Sequence, residues 1–214
     1  MLDAVCSQEG MNKLVKNLVH DGLLRTDNVI KAFSKIQRSD FIPSDLLAWG
    51  EADASLPIGF GQTISQPLTV AFMLELLQVK SGDNVLDVGS GSGWTSALLA
   101  HMVGEKGRIS SLEIVRELFE FGKKNIDKYS FVRNGTVELY CQSASRGFEK
   151  NSPYDCILVS ASAMEAPEAL KKQLKIGGKM VIPIRSEIWF IKKEAESDFA
   201  VEKFPGFAFV PFVK

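Results

Sequence analysis

Two short stretches of the chain hold residues whose types and spacing can do chemistry. One is D-V-G-S-G-S-G-W, Asp87 to Trp94, between the apolar run Asn84–Val88 and an apolar helical pattern that starts at Trp94. A glycine-rich loop between strand and helix is where an open α/β sheet receives its ligand, because glycine turns sharply and brings bare backbone against that ligand. Gly89, Ser90, Gly91, Ser92, Gly93 and Trp94 are therefore candidate ligand contacts. Glu113 ends the next apolar run, with Ile114 beside it, and a carboxylate there can accept both hydroxyls of a ribose. The dinucleotide fingerprint G-x-G-x-x-G fails at Trp94, and the phosphate-loop pattern G-x-x-x-x-G-K-[ST] is absent. Asp87 would repel a pyrophosphate, which wants bare amides at a helix N-terminus. It would attract the ammonium of S-adenosylmethionine, which has no phosphate. The loop favours S-adenosylmethionine, with a dinucleotide or a ligand-free turn as alternatives.

The other stretch is G-F-G-Q-T-I-S-Q-P, Gly59 to Pro67, which carries the hydroxyls of Thr63 and Ser65. Pro67 suits the first turn of a helix, where its missing N–H is not needed. Ser65 stands where serine commonly caps a helix. A stiff turn can equally present a hydroxyl donor to an anion, and the residues alone leave both readings open. The histidines are His20 and His101, each on a helical pattern, and neither marks a general base.

The elements that must position these residues follow from composition and period. The chain has 214 residues, 45% hydrophobic and 24% charged, enough for one substantial core. Net charge is −1 and the isoelectric point about 6.2, which gives no reason to expect a nucleic-acid or membrane-surface partner. Cys6, Cys141 and Cys156 show neither C-x-x-C nor zinc spacing, so no metal is expected. An odd cysteine count without a basic-then-apolar leader suits a reducing cytoplasm. No apolar run approaches the ~18 residues that span a bilayer. The expectation is a cytoplasmic monomer of one domain, residues 1–214.

Met11, Leu14, Val15, Leu18 and Val19 form a helical stripe ended by Gly22, and Thr26 is placed to cap a second helix carrying Val29, Ile30, Phe33 and Ile36. Residues 1–60 are thus a helical cap and a lead-in loop. In 61–185, helices from Pro67, over 94–103, 115–127 and 167–174 alternate with apolar runs at 84–88, 108–114, 136–141, 155–160 and 179–184. Short apolar runs between helices mean strands buried on both faces, hence an α/β fold with a doubly wound, mostly parallel, Rossmann-like sheet. Residues 186–214 hold E-I-W-F-I-K-K, D-F-A-V-E-K-F and F-A-F-V-P-F-V without helices, read as antiparallel strands at a sheet edge.

Taken in order, G-Q-T-I-S-Q-P, L-D-V-G-S-G-S-G, P-Y-D-C-I-L-V-S-A-S-A, L-K-I-G-G-K-M-V-I-P-I and a terminal F-V-P-F resemble the protein-L-isoaspartate O-methyltransferase family, from about Leu14 to the last residues. The resemblance implies methyl transfer from S-adenosylmethionine to the free α-carboxylate of L-isoaspartyl residues in damaged proteins or peptides. It places Ser65 at the junction of cofactor and peptide, and Thr63 at the methionine end of the cofactor. It aligns Gln142-Ser143-Ala144 with a Gly-Asp-Gly that meets adenine, so Ser143 and Ala144 are the adenine contacts here. Losing one charge-assisted bond there costs about 1.5–3 kcal/mol, roughly 10- to 150-fold in affinity. Ala161 and Ser162 are small enough to admit a peptide backbone, while Met164 and Glu165 stand at the rim where the family tends to have a proline. The terminal F-A-F-V-P-F, with Val210 and Pro211, resembles the family segment that contributes to the peptide cleft, and is read as an edge strand that pairs with an extended substrate.

The chemistry agrees with this resemblance. A carboxylate with a pKa near 4 is ionised at neutral pH and needs no strong base, only alignment with the sulfonium methyl group. Amino methylation is disfavoured, since N-S-P-Y at 151–154 precedes its strand instead of following it. An offshoot esterifying aspartate in a dedicated peptide, and a non-catalytic binding homologue, are the remaining alternatives.

Overall fold

The computed structural model describes residues 11–212, so Cys6 lies outside them. Helix α1, Lys13–His20, starts where the Asn12 side chain accepts the Val15 N–H, and it buries Leu14, Val15 and Leu18. Helix α2, Asp27–Lys35, buries Val29, Ile30, Ala32 and Phe33. Thr26 precedes it as expected but does not cap it through its side chain. Its hydroxyl donates instead to Glu75 Oε2 at 2.7 Å. Glu75 Oε1 also accepts the N–H groups of Arg25 and Thr26 at 2.8 and 2.9 Å.

The expected lead-in loop contains a hairpin, β1 Leu56–Gly59 and β2 Gln62–Ile64, turned at Phe60 and Gly61 with φ of +53° and +69°. Positive φ at both central residues is the hairpin turn whose twist matches its strands. Strands of three and four residues are too short for alternation to register. Helix α3, Pro67–Leu77, follows with Pro67 in its first turn and Glu75 on it. A single buried carboxylate thereby ties the N-terminal helices to the helix that follows Ser65.

The core then runs β3 Asn84–Val88, α4 Trp94–Val103, β4 Arg108–Glu113, α5 Arg116–Asp127, β5 Val137–Cys141, β6 Tyr154–Val159, α6 Glu168–Lys172, β7 Leu174–Ile184, β8 Glu187–Ala195 and β9 Asp198–Pro205. The sheet order is β5-β4-β3-β6-β7-β8-β9, with β3 to β7 parallel and β8 and β9 antiparallel. The direction of winding reverses between β3 and β6, the crevice where such sheets bind ligands. Val85, Ile109, Cys156 and Leu158 pack with the layer of α1 to α5. Leu86, Leu112, Ile157 and Val159 pack on the opposite face with Phe148 and Leu170.

Three expectations are corrected. The helix placed at 167–174 is only five residues long, because Leu174 already pairs with Tyr154 in the sheet. Gly177 and Gly178, read as its stop, lie within β7 at a register shift against β6, the usual meaning of glycine in a strand. The third C-terminal strand is a single bridge, Ser162 to Pro211.

Glu75→Ala leaves three donors of the chain at 25–26 without their acceptor, so it is expected to lower unfolding free energy by about 2–3 kcal/mol. Urea denaturation measures this, and a change under about 0.5 kcal/mol would show that the carboxylate does not fasten the cap.

Candidate active site

Strand alternation decides where the first candidate points. Asp87 shares a face of β3 with Val85 and so turns under α4, away from the crevice. Its Oδ2 accepts the hydroxyls of Thr95 at 2.8 Å and Ser96 at 2.6 Å, and Oδ1 has no partner among the described residues. The carboxyl is fully buried, and loss of water pushes its pKa up to about 6 against the pull of the two hydroxyls. The expected direct contact of Asp87 with a ligand is therefore not what the structure holds. The charge lies beneath the glycine loop, not on the cleft surface.

A cleft opens at the C-terminal ends of β3, β4 and β6. Thr63 and Ser65 line one wall, Gly89, Ser90, Gly91, Ser92 and Trp94 the floor, and Glu113 and Ile114 the next side. Ser143, Ala144, Ala161, Val210 and Pro211 complete it. Gly89 lines the cleft with φ of +77°, a conformation that brings backbone alone to the surface. Gly93 does not line it. A Cβ there would lie 2.7 Å from Ile126 Cγ1 and 3.0 Å from Gly122 O, so this glycine lets α4 pack on α5.

Glu113 is 6% exposed and already busy. Oε1 accepts the N–H groups of Ile114 and Val115 at 2.8 and 2.9 Å, and Oε2 accepts Gly91 N–H at 2.8 Å. A carboxylate offers about four acceptor sites. Three are taken, so one remains, on Oε2, for a single ribose hydroxyl where two were expected. The same bond holds the glycine loop in shape. Ser143 Oγ accepts Ser145 N–H at 3.1 Å, a local turn that fixes its hydroxyl at the cleft while Ala144 is 3% exposed beside it.

The helix after Ser65 is capped without it. Asp53 Oδ1 accepts Leu68 N–H at 2.8 Å and Asp53 Oδ2 accepts the Gln66 side-chain amide at 3.0 Å. The Ser65 hydroxyl makes no hydrogen bond to a described residue, which removes the capping role and leaves a free donor on the cleft wall. Its peptide carbonyl is held by Arg38 Nη2 at 3.2 Å.

Ser162 is corrected from substrate contact to fastener. Its hydroxyl donates to Arg185 O at 2.9 Å, its N–H to Val210 O at 2.8 Å, and its carbonyl accepts Phe212 N–H at 2.8 Å. Val210 and Pro211 reach the cleft because this clamp brings them there, not as a free edge strand. Met164, 73% exposed, and Glu165 lie outside the lining. Sequence reasoning passed over Gln62, Thr95 and Phe212, which line the cleft, and Arg38 behind it. The signal for Thr95 is its place directly after Trp94 at the start of α4. Nothing in the spacing of Arg38 marks it.

The family profile described as protein-L-isoaspartate(D-aspartate) O-methyltransferase matches residues 8–214. A protein-L-isoaspartate O-methyltransferase of Methanopyrus kandleri is 40% identical over 205 residues, 94% of this chain and 90% of that one. The enzyme of the same name from Pyrococcus horikoshii is 39% identical over 218 residues, covering 100% of this chain and 97% of its own. The crystal structure of a Plasmodium falciparum protein-L-isoaspartate O-methyltransferase with S-adenosyl-L-homocysteine superposes with a TM-score of 0.84 at 26% identity, over 94% of this chain and 96% of that one. A sheet that reverses at β3 and β6, a glycine loop at the reversal and these matches along the whole length have one meaning: the chain belongs to the protein-L-isoaspartate (D-aspartate) O-methyltransferase family.

Proposed function

We propose that this chain methylates the free α-carboxylate of L-isoaspartyl residues in damaged proteins and peptides, as a monomer in the cytoplasm. The observation that carries the reading is the unengaged Ser65 hydroxyl on the wall of the cleft that the glycine loop floors. S-adenosylmethionine fits this cleft on the chemistry of its donors and acceptors. The buried Asp87 carboxyl lies beneath the loop without touching the cleft, where its charge favours a cationic ligand through the field alone. Glu113 keeps one acceptor for a ribose hydroxyl, and Ser143 and Ala144 edge the far side. When bound, S-adenosylmethionine supplies an electrophilic methyl group on a sulfonium.

The protein's share of the reaction is alignment. Ser65 donates a hydrogen bond to one oxygen of the substrate carboxylate and leaves the other free to attack in line. No side chain has to remove a proton, because the acceptor is already negative at neutral pH. A neutral hydroxyl suits that acceptor, whereas a carboxylate at position 65 would repel it. Small Ala161 and the backbone-clamped Val210 and Pro211 give an extended peptide room without demanding particular side chains. Methoxide leaves a carbonyl far more readily than the oxide of an ionised carboxylate. The neighbouring amide nitrogen therefore attacks the ester carbonyl, methanol departs with the amide proton and a succinimide forms, which water reopens in part to normal aspartate.

Incubation with labelled S-adenosylmethionine is expected to put base-labile label on an isoaspartyl peptide and none on the same peptide with aspartate. Equal labelling would remove the repair reading. Ser65→Ala is expected to lower kcat by at least about tenfold, the loss of one hydrogen bond to a charged group. Cofactor affinity by calorimetry should stay within about threefold, and unchanged turnover would take Ser65 out of the chemistry. Glu113→Ala removes a ribose acceptor and frees the Gly91 N–H, so the cofactor Kd should rise at least about tenfold. An unaltered Kd excludes that role. Asp87 gains its charge as pH rises through about 6, so affinity for the cationic cofactor should be stronger at pH 7.5 than at pH 5. Asp87→Asn should flatten that difference, and a flat profile in the parent protein would contradict the assignment.

A further inference from the structure

Arg38 is 3% exposed, deep for a guanidinium, and no negative side chain forms an ion pair with it among the described residues. Carbonyl oxygens surround it instead. Nη1 donates to Gly50 O at 3.4 Å and Ala52 O at 3.2 Å, and Nη2 donates to Ala54 O at 2.7 Å and Ser65 O at 3.2 Å. Its Cζ lies 5.5 Å from the centre of the Trp94 ring, the residue that starts α4 and lines the cleft. Burial lowers its pKa to about 10, with Asp53 pulling the other way, so it remains a cation at neutral pH.

The Ser65 carbonyl is the member of this set that matters for chemistry. Between the end of β2 at Ile64 and the start of α3 at Pro67, Ser65 and Gln66 belong to neither element. Asp53 holds Gln66 through its side chain, and the Ser65 peptide plane is fixed through its carbonyl by Arg38. A side-chain hydroxyl is aimed by the plane it hangs from, and misplacement by about 1 Å at a reacting group costs on the order of a hundredfold. A lysine could not reproduce this, because its ammonium is a point charge with three donors and no planar fork.

We propose that Arg38 is a positioning residue for Ser65: anchored on the 50–54 carbonyls and the Trp94 face, it fixes the Ser65 peptide and thereby aims the hydroxyl at the substrate carboxylate. The proposal rests on the reading of Ser65 given above. It differs from a purely structural role, in which Arg38 satisfies a loop and its loss weakens folding and binding alike.

The test is a double-mutant cycle with Arg38→Lys, Arg38→Ala, Ser65→Ala and both combined variants, reading kcat with an isoaspartyl peptide, cofactor Kd and unfolding midpoint. Arg38→Lys should lower kcat at least about fivefold with cofactor Kd within about threefold. Placed on top of Ser65→Ala, either substitution at 38 should slow turnover by no more than about twofold further, because its effect travels through the hydroxyl already removed. Losses that multiply in the combined variants, or a parental kcat in Arg38→Lys, overturn the positioning role while leaving Ser65 in place. An inert Ser65→Ala overturns the Ser65 reading instead. If Arg38→Ala fails to fold, the lysine arm of the cycle decides the matter alone.

Discussion

A free hydroxyl is useful only on a backbone that cannot turn away, and that constraint organises the walls of this cleft. Ser65 sits on two residues of irregular chain between a hairpin and a helix. Each neighbour of that short link is pinned. The hairpin turn sets its entry, Asp53 caps the helix it leads into, and Arg38 grips its carbonyl. Glu75 then locks the N-terminal helices onto α3, and Arg38 itself packs over the Trp94 ring at the end of the glycine loop. The apparent excess of polar bonding around a small cleft is what it takes to hold one serine still.

The electrostatics follow a second division of labour. Negative charge lies under and beside the glycine loop, at Asp87 and Glu113, where a cationic donor is to be held. It is absent from position 65, where the acceptor arrives as an anion. Glu113 does two things through Oε2, bracing the Gly91 amide and keeping one site open, so loop shape and ligand binding are coupled through one atom. Asp87 is held short of its ordinary acidity by burial, and its two hydroxyl partners keep it from drifting further.

Much of this was legible in the residues because burial on both faces writes unbroken apolar runs. The runs at 84–88 and 94–103 coincide with β3 and α4 for that reason. The β1–β2 hairpin was not legible, since its strands are too short for a period and its turn carries Phe60 at a positive φ. Gly177-Gly178 misled because the same dipeptide serves a helix stop and a strand irregularity, and only pairing to Tyr154 separates them. At the site, residue type located the cleft, but orientation decided the roles. Asp87 turns under α4 by parity with Val85, Gly93 serves packing, and Ser162 is consumed by the tail. Arg38 was invisible because its partners are main-chain carbonyls, which no side-chain pattern encodes.

The central claim is that the chemical step needs aim and no base. The pH dependence of single-turnover methyl transfer, at saturating S-adenosylmethionine and isoaspartyl peptide, tests it most directly. The acceptor carboxylate ionises near pH 4, so the rate constant is expected to be level from about pH 6.5 to 9. A limb rising through neutrality, abolished by replacing one ionisable side chain at the cleft, would contradict the account.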